Sequence, residues 1–321
     1  MTKSLRIVFM GTPQFAVTIL DALHSSQHEI VGVVTVADKP AGRGQLLHQS
    51  AVKQYALEQQ LELAQPEKLR DEAFIEQLKS WNADLFVVVA FRMLPDVVWK
   101  LPPLGTFNLH ASLLPAYRGA APINWAIING DTKTGVSTFL INEQIDAGSI
   151  LKQAEVEIGP NMNVGQLHDA LQEIGAQLTV QTANELAEGS IQPIQQVAIE
   201  GLRALAPKLF KENTQLDWQK NSTDLHNLVR GLNPYPGAWC KLWSAAKKDW
   251  VQFKIFEAQP FAQTANRLDG PEAHSNGILF PCGDQQSLLV TELQMEGKKR
   301  MDAKSWLAGN HPESLFYNEV H

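Results

Sequence analysis

LRIVFM at residues 5–10, closed by Gly11-Thr12-Pro13, sets the fold of the first half of the chain. An apolar, β-branched run of this length reads as a buried strand, and the glycine behind it as a tight turn. Pro13 suits the first turn of a helix, and Phe15, Ile19 and Leu23 then recur at helical spacing. A second strand is expected at 29–36 (EIVGVVTV), then a Gly-, Pro- and charge-rich loop at 37–48 and an amphipathic helix at about 50–60. A helix at 71–81 and a buried strand at 84–90 (DLFVVVA) continue the alternation. Strand-like runs follow at 105–110, 135–142 and 150–158, and a long helix at 163–188 with Val164, Leu167, Leu171, Ile174, Leu178 and Leu186 apolar. Strand and helix alternating in this way predict an α/β fold, a Rossmann-like and mostly parallel sheet with helices on both faces.

The pattern changes at residue 189. The stretch to 207 (GSIQPIQQ and onward) has no period and reads as a linker, whereas short strand candidates at 250–256, 278–281 and 287–293 come with turn signals. One helix is expected at 223–232, with Ser222 or Thr223 as its N-cap. The expected organisation is an α/β domain at 1–189, a linker at 190–207 and a smaller C-terminal β-barrel (OB-like) domain at 208–321. A chain of 321 residues exceeds a comfortable single core, in keeping with two domains.

Composition narrows the class. With 44% hydrophobic and 19% charged residues the chain is ordinary for a soluble globular protein. Its longest apolar stretch, 85–91, is strand-length, far below the roughly 20 residues of a membrane span. No signal-peptide core precedes the first strand, and two cysteines form neither a disulfide framework nor a CxxC metal pair. A reduced, cytoplasmic protein without membrane or metal is expected. The net charge of −7 argues against a global field for nucleic acid, but it is unevenly spread. Residues 208–321 hold 13 basic and 13 acidic side chains, so the first 207 residues carry the whole excess. A polyanion would be met by local clusters such as Lys247-Lys248 and Lys298-Lys299-Arg300, which equally suit solvated turns.

The turn at Gly11 lacks the glycines of a dinucleotide fingerprint and no phosphate-loop sequence occurs, so it reads as a tight connection lining a cleft. Asn108-Leu109-His110-Ala111-Ser112-Leu113-Leu114-Pro115 carries more. In a strand Asn108 and His110 face the same side, near the carboxyl end where open α/β sheets place ligands. The strand at 135–142 exits into a loop bearing Asp146. An amide, an imidazole and a carboxylate in one cleft suit attack of an amine on a carbonyl. The first two would donate to the developing oxyanion, and the third would hold the imidazolium and help move the proton. By spacing alone, the same residues also fit an ordinary hydrogen-bonded histidine and a turn carboxylate.

Longer matches bear on this choice. RIVFMGTPQFA at 6–16, DKPAGRG at 38–44, NLHASLLPAYRGAAPINWAIINGD at 108–131 and IDAGSIL at 145–151 resemble the methionyl-tRNA formyltransferase family. KLFKENTQLDW at 208–218 and NPYPGAW at 233–239 extend the resemblance, more loosely, to the end of the chain. The resemblance implies 10-formyltetrahydrofolate as co-substrate, with tetrahydrofolate released, and Asn108, His110 and Asp146 as the catalytic trio. It implies Ser112, Leu113, Leu114 and Pro115 as the folate-binding loop. It makes the loop with Lys39 and Arg43 the grip on initiator methionyl-tRNA, and a monomer sufficient. The family's loop usually continues with several basic residues, whereas this chain reads Gln45-Leu46-Leu47-His48-Gln49, which should weaken phosphate attraction.

Formyl transfer is thus better specified than its acceptor. A sugar-nucleotide N-formyltransferase would share the trio and the folate loop and differ at DKPAGRG. A glycinamide ribonucleotide transformylase would be shorter, with a glycine-rich phosphate turn, and in a hydrolase or dehydrogenase module water would replace the amine. A non-enzymatic RNA-binding protein would have no need of an intact Asn-x-His and Asp. In the second domain, Lys208, Lys211 and the two clusters above offer a basic face, whereas Trp218, Trp239, Trp243 and Trp250 are expected in the core.

Overall fold

The computed structural model describes residues 3–41, 46–197, 200, 201, 203, 205–263 and 265–319. It divides into two compact units. The first comprises Met1–Gly119, Thr134–Val156 and Asp169–Leu205, and the second Ala120–Lys133, Glu157–His168 and Ala206–His321. Among the described residues, no helix is long and apolar enough to cross a membrane.

Up to the long helix, the elements are β1 (Arg6–Gly11), α1 (Gln14–His24), β2 (Glu29–Val34), β3 (Lys39–Ala41), β4 (Leu46–His48), α2 (Ala51–Glu58), β5 (Leu63–Ala64), α3 (Glu72–Ser80), β6 (Leu85–Val89), α4 (Asp96–Trp99), β7 (Thr106–His110), β8 (Arg118–Gly119), α5 (Pro122–Ile128), β9 (Lys133–Leu140), β10 (Ile150–Glu157) and α6 (Val164–Glu188). Seven strands form one sheet in the order β10-β9-β7-β6-β1-β2-β5. The strands from β7 to β5 run parallel, and β9 lies antiparallel against β7. This is the Rossmann-like, mostly parallel sheet expected, with one strand reversed where the catalytic candidates stand.

Alternation along the strands decides which side chains meet. Val8 and Met10 of β1 and Phe86 and Val88 of β6 pack with Phe74 and Leu78 of α3 and Val98 of α4. On β2, Gly32 makes room for Trp81, whose ring comes within 2.4 Å of where a Cβ would stand. On β7, Thr106 pairs with Phe86 and Asn108 with Val88, so Asn108 and His110 share that face. Leu109 points the other way, onto α6, where Gly175 leaves only 2.9 Å between its would-be Cβ and the leucine. The Thr138–Thr182 hydroxyl pair at 2.9 Å joins β9 to the same helix. Residues 37–48, expected as a loop, contain a short hairpin instead: Lys39 to Ala41 pair antiparallel with His48 to Leu46. Asp38 anchors its base, accepting from Lys53 Nζ at 2.6 Å and Gln65 Nε2 at 2.9 Å.

Beyond α6 the chain continues with β11 (Leu205–Ala206), α7 (Ser222–Leu232), β12 (Ala238–Ser244), β13 (Asp249–Phe261), β14 (Glu272–His274), β15 (Gly277–Pro281), β16 (Ser287–Met295), β17 (Met301–Asp302), α8 (Ala303–Leu307) and β18 (Leu315–Phe316), and the second unit contains α5 and every element from α7 onward. Strands β14-β15-β16-β13-β12-β18 form an antiparallel half-barrel, with β17 alongside β16. Register breaks at Ile255/Glu257 and Glu257/Ala258 bend the long β13. Leu225, Val229 and Leu232 of α7 fill the concave face together with Leu242, Phe253 and Val290. The N-cap of α7 is Asn221, which accepts from Asp224 N at 2.8 Å, and not Ser222 or Thr223. The Ser222 hydroxyl is committed elsewhere, donating to Asp284 at 2.9 Å.

Trp239 is buried, and Trp218 stacks between Phe280 and Tyr317 at 4.4 and 5.6 Å, so both pack as expected. Trp250, edge-on to Trp243, is 39% exposed. Arg300 lies over the Phe256 ring at 4.1 Å and is paired with Glu292, so part of that basic cluster is neutralised locally.

Candidate active site

At the carboxyl end of β7, the antiparallel neighbour β9 sets Phe139 opposite Asn108 and Ser137 opposite His110. His110 is buried, with Phe139 edge-on to it at 6.5 Å. Its Nε2 lies 2.9 Å from the carbonyl oxygen of Tyr117. A carbonyl only accepts, so Nε2 carries the hydrogen and Nδ1 is the atom left for chemistry. Nδ1 stands 3.8 Å from Asp146 Oδ2. The same oxygen accepts from the backbone N–H of Gly119 at 2.9 Å. Asn108 completes the group, and its buried Oδ1 has no hydrogen-bond partner among the described residues. The structure therefore brings the three sequence candidates to one place. Two come from a single strand face and the third from the turn after the neighbouring strand.

That turn is tightly built. Asp146 has φ of 51°, a left-handed conformation uncommon outside glycine. Gly148 lies so close to the end of β9 that a Cβ would stand 1.6 Å from the Leu140 carbonyl oxygen. Gln196 Nε2 donates to the carbonyls of Asp146 and Gly148 at 3.0 and 2.7 Å, while its Oε1 accepts from Arg118.

Ser112, Leu113, Leu114 and Pro115 form the turn leaving β7, with a cis bond between Leu114 and Pro115. Ser112 and Leu114 are buried, and Leu114 packs with Phe139 and Ile150. The Ser112 hydroxyl donates to Ala116 O at 2.6 Å, so it braces the turn from within. Ser137 of β9 organises the rest, donating to Ser112 O at 2.6 Å and accepting from Leu114 N at 3.0 Å. Gln153 of β10 donates to Ser137 Oγ at 2.8 Å and to Leu114 O at 2.9 Å. Leu113 lies over Gly135, where an added Cβ would meet it at 2.6 Å.

Ser137, Gln153 and Gln196 carry no signature in the sequence. The first two alternate normally within their strands, and Gln196 lies in the aperiodic polar stretch read as a linker, so no local pattern marks them. Of the acceptor-loop candidates, Arg43 lies outside the described residues. Lys39 is described only as a backbone member of β3. Among the described residues, no cluster of three or more His, Cys, Asp or Glu is placed to hold a metal.

Chemically, the site offers a half-buried amide and a buried imidazole on one strand face, with a carboxylate fixed by a backbone N–H beside them. Such a group donates to a developing oxyanion and relays a proton.

Comparison with known proteins identifies the family. A family model described as formyl transferase matches residues 5–183, and one described as formyl transferase, C-terminal domain, matches residues 208–311. A methionyl-tRNA formyltransferase of Flavobacterium johnsoniae is 48% identical over 307 residues, 96% of each chain. One of Bacteroides fragilis is 45% identical over 317 residues, 98% of each chain. Among solved structures, an N-formyltransferase from Helicobacter canadensis, in complex with folinic acid and dTDP-3-aminofucose, superposes with a TM-score of 0.63 at 17% identity, covering 89% of this chain and 98% of its own. HypX from Aquifex aeolicus, in complex with tetrahydrofolic acid, gives a TM-score of 0.62 at 18% identity over 95% of this chain and 47% of its own. At these identities the two structures show a shared fold alone.

Proposed function

The chain belongs to the methionyl-tRNA formyltransferase family, and we propose that it transfers the formyl group of 10-formyltetrahydrofolate to the amino group of methionyl initiator tRNA at a centre made by Asn108, His110 and Asp146. The convergence of these three side chains carries the reading. The acceptor amine attacks the formyl carbon directly, so no serine or cysteine nucleophile takes part. As the carbonyl oxygen becomes an oxyanion, the Asn108 amide and the protonated Nδ1 of His110 donate to it. Asp146 balances the imidazolium across 3.8 Å. The ammonium-like nitrogen of the tetrahedral intermediate loses a proton, N10 of the folate gains one, and the C–N10 bond breaks to release tetrahydrofolate.

Ser112 to Pro115 form the folate-side wall, a turn held in shape from behind by Ser137 and Gln153. The tRNA is gripped by the loop carrying Lys39 and Arg43, supported by the C-terminal half-barrel. The proposed working unit is a monomer, as the family resemblance implies. The proposed setting is the reducing cytoplasm, which suits two unpaired cysteines whose thiols burial pushes up to about 12.

A sugar-nucleotide acceptor is the second reading, and the structural neighbour described with dTDP-3-aminofucose favours examining it. Whole-length relatives at 45% and 48% identity bearing the tRNA enzyme's name weigh against it. The test is incubation with 10-formyltetrahydrofolate and Met-charged initiator tRNA, which should yield N-formylmethionyl-tRNA. Absence of that product, with turnover of an amino-sugar nucleotide, overturns the acceptor assignment.

A further inference from the structure

We infer that Gln196 is a positioning residue for the transfer reaction: braced by Arg118, its side-chain amide holds the turn that presents the Asp146 carboxylate to His110. The inference rests on the reading of Asp146 as part of the transfer centre.

The turn at Asp146 needs an external hold. A non-glycine residue at φ of 51° persists only where its surroundings over-determine it. Gln196 supplies two bonds of the right kind, from Nε2 to Asp146 O at 3.0 Å and to Gly148 O at 2.7 Å. Its Oε1 accepts from Arg118 Nε at 3.1 Å and from Arg118 Nη2 at 2.6 Å. Carbonyls only accept and a guanidinium only donates, so the amide can be oriented one way, and its two N–H groups and two lone pairs are all in use.

The bonds converge on a single residue. Arg118 fixes Gln196, which fixes the main chain of Asp146, while the next residue, Gly119, donates its N–H to the Asp146 carboxylate at 2.9 Å. One dipeptide thus holds both ends of the acid. Two residues before Gln196, Ile194 is tied to Ile150 by a reciprocal backbone pair at 2.8 Å, which sets the segment's position. Gln196 reaches the main chain of Asp146 and none of the catalytic side-chain atoms, so it acts through that residue. A shift of about 1 Å in a reacting group can cost about a hundredfold in rate. Losing the clamp should therefore show in turnover rather than in substrate binding.

The experiment compares wild type, Gln196→Ala, Asp146→Asn and the double variant, all full-length. The expected result for Gln196→Ala is a kcat about ten- to a hundredfold lower, with KM for folate and for tRNA within about twofold of wild type. Adding Gln196→Ala to Asp146→Asn should change kcat by less than about twofold, because the clamp has nothing left to position. Amide hydrogen exchange should speed up across residues 142–150 in Gln196→Ala and stay unchanged across residues 6–11. A kcat within about twofold of wild type, or the same fractional loss with and without Asp146, overturns the proposal. So does unchanged exchange at 142–150. The exchange measurement needs no acceptor, so it remains decisive for the clamp even if the wild-type protein proves to formylate something other than methionyl-tRNA.

Discussion

His110 Nδ1 faces Asp146 Oδ2 at 3.8 Å, with both side chains largely buried and the far ring nitrogen tied to the Tyr117 carbonyl. This arrangement leaves the imidazole one working nitrogen and gives it one counter-charge. Asp146→Asn and His110→Ala should each lower kcat about a hundredfold or more, with the thermal unfolding midpoint little changed. Steady-state formylation with calorimetry on the same samples checks both parts, and wild-type activity in either variant would remove that residue from the mechanism.

Ser137 should matter to folate more than to chemistry. Its hydroxyl is fully buried and serves three partners in or beside the Ser112–Pro115 turn. Ser137→Ala leaves the Leu114 N–H and the Ser112 carbonyl without their partner, at a cost of about 1–3 kcal/mol. The expected outcome is a KM for 10-formyltetrahydrofolate raised about tenfold or more, with kcat changed less. A kcat loss at constant KM would mean the turn does not carry the folate.

Arg43→Ala tests the acceptor loop. It should raise KM for methionyl-tRNA, flatten the dependence of that KM on salt, and leave KM for folate unchanged. Titrating salt in both proteins reads the change directly, and parallel salt curves would show that Arg43 meets no phosphate.

Acid stability follows from His28. Burial lowers its pKa below 6.5, and its Nδ1 accepts the Leu5 N–H at 3.2 Å, a bond that needs the neutral ring. The unfolded chain therefore binds the proton more readily than the folded one. The stabilising contribution is complete above about pH 6.5 and is lost as pH falls below it. Denaturant midpoints should drop as pH falls below about 6.5 in the wild type, and less steeply in His28→Gln. Equal slopes would contradict the assignment.

Much of this architecture was legible because periodicity reports burial. The run at 5–10 is a central strand, buried on both faces, and Asn108 and His110 share a face by alternation alone. Asp146 was legible only as a loop carboxylate, and its approach to His110 depends on β9 running antiparallel to β7, which strand patterns do not encode. The hairpin at 39–41 and 46–48 carries no sequence period because each arm is three residues long, too short for alternation to register. Gln196 left no trace because a side-chain clamp between distant segments has no sequence period. The N-cap of α7 fell at Asn221 because Asp284, 62 residues away from Ser222, claims that serine's hydroxyl.

The central claim is that this cleft delivers a formyl group to the amine of methionyl-tRNA. Its most direct test is a one-pot competition with labelled 10-formyltetrahydrofolate, Met-charged initiator tRNA and a dTDP-linked amino sugar, using wild type with Asp146→Asn as control. The account predicts label on the methionyl amine, with kcat/KM at least about a hundredfold above that for the sugar, and a comparable fall in that rate for Asp146→Asn. Label on the sugar with none on the tRNA, or undiminished transfer by Asp146→Asn, would contradict it.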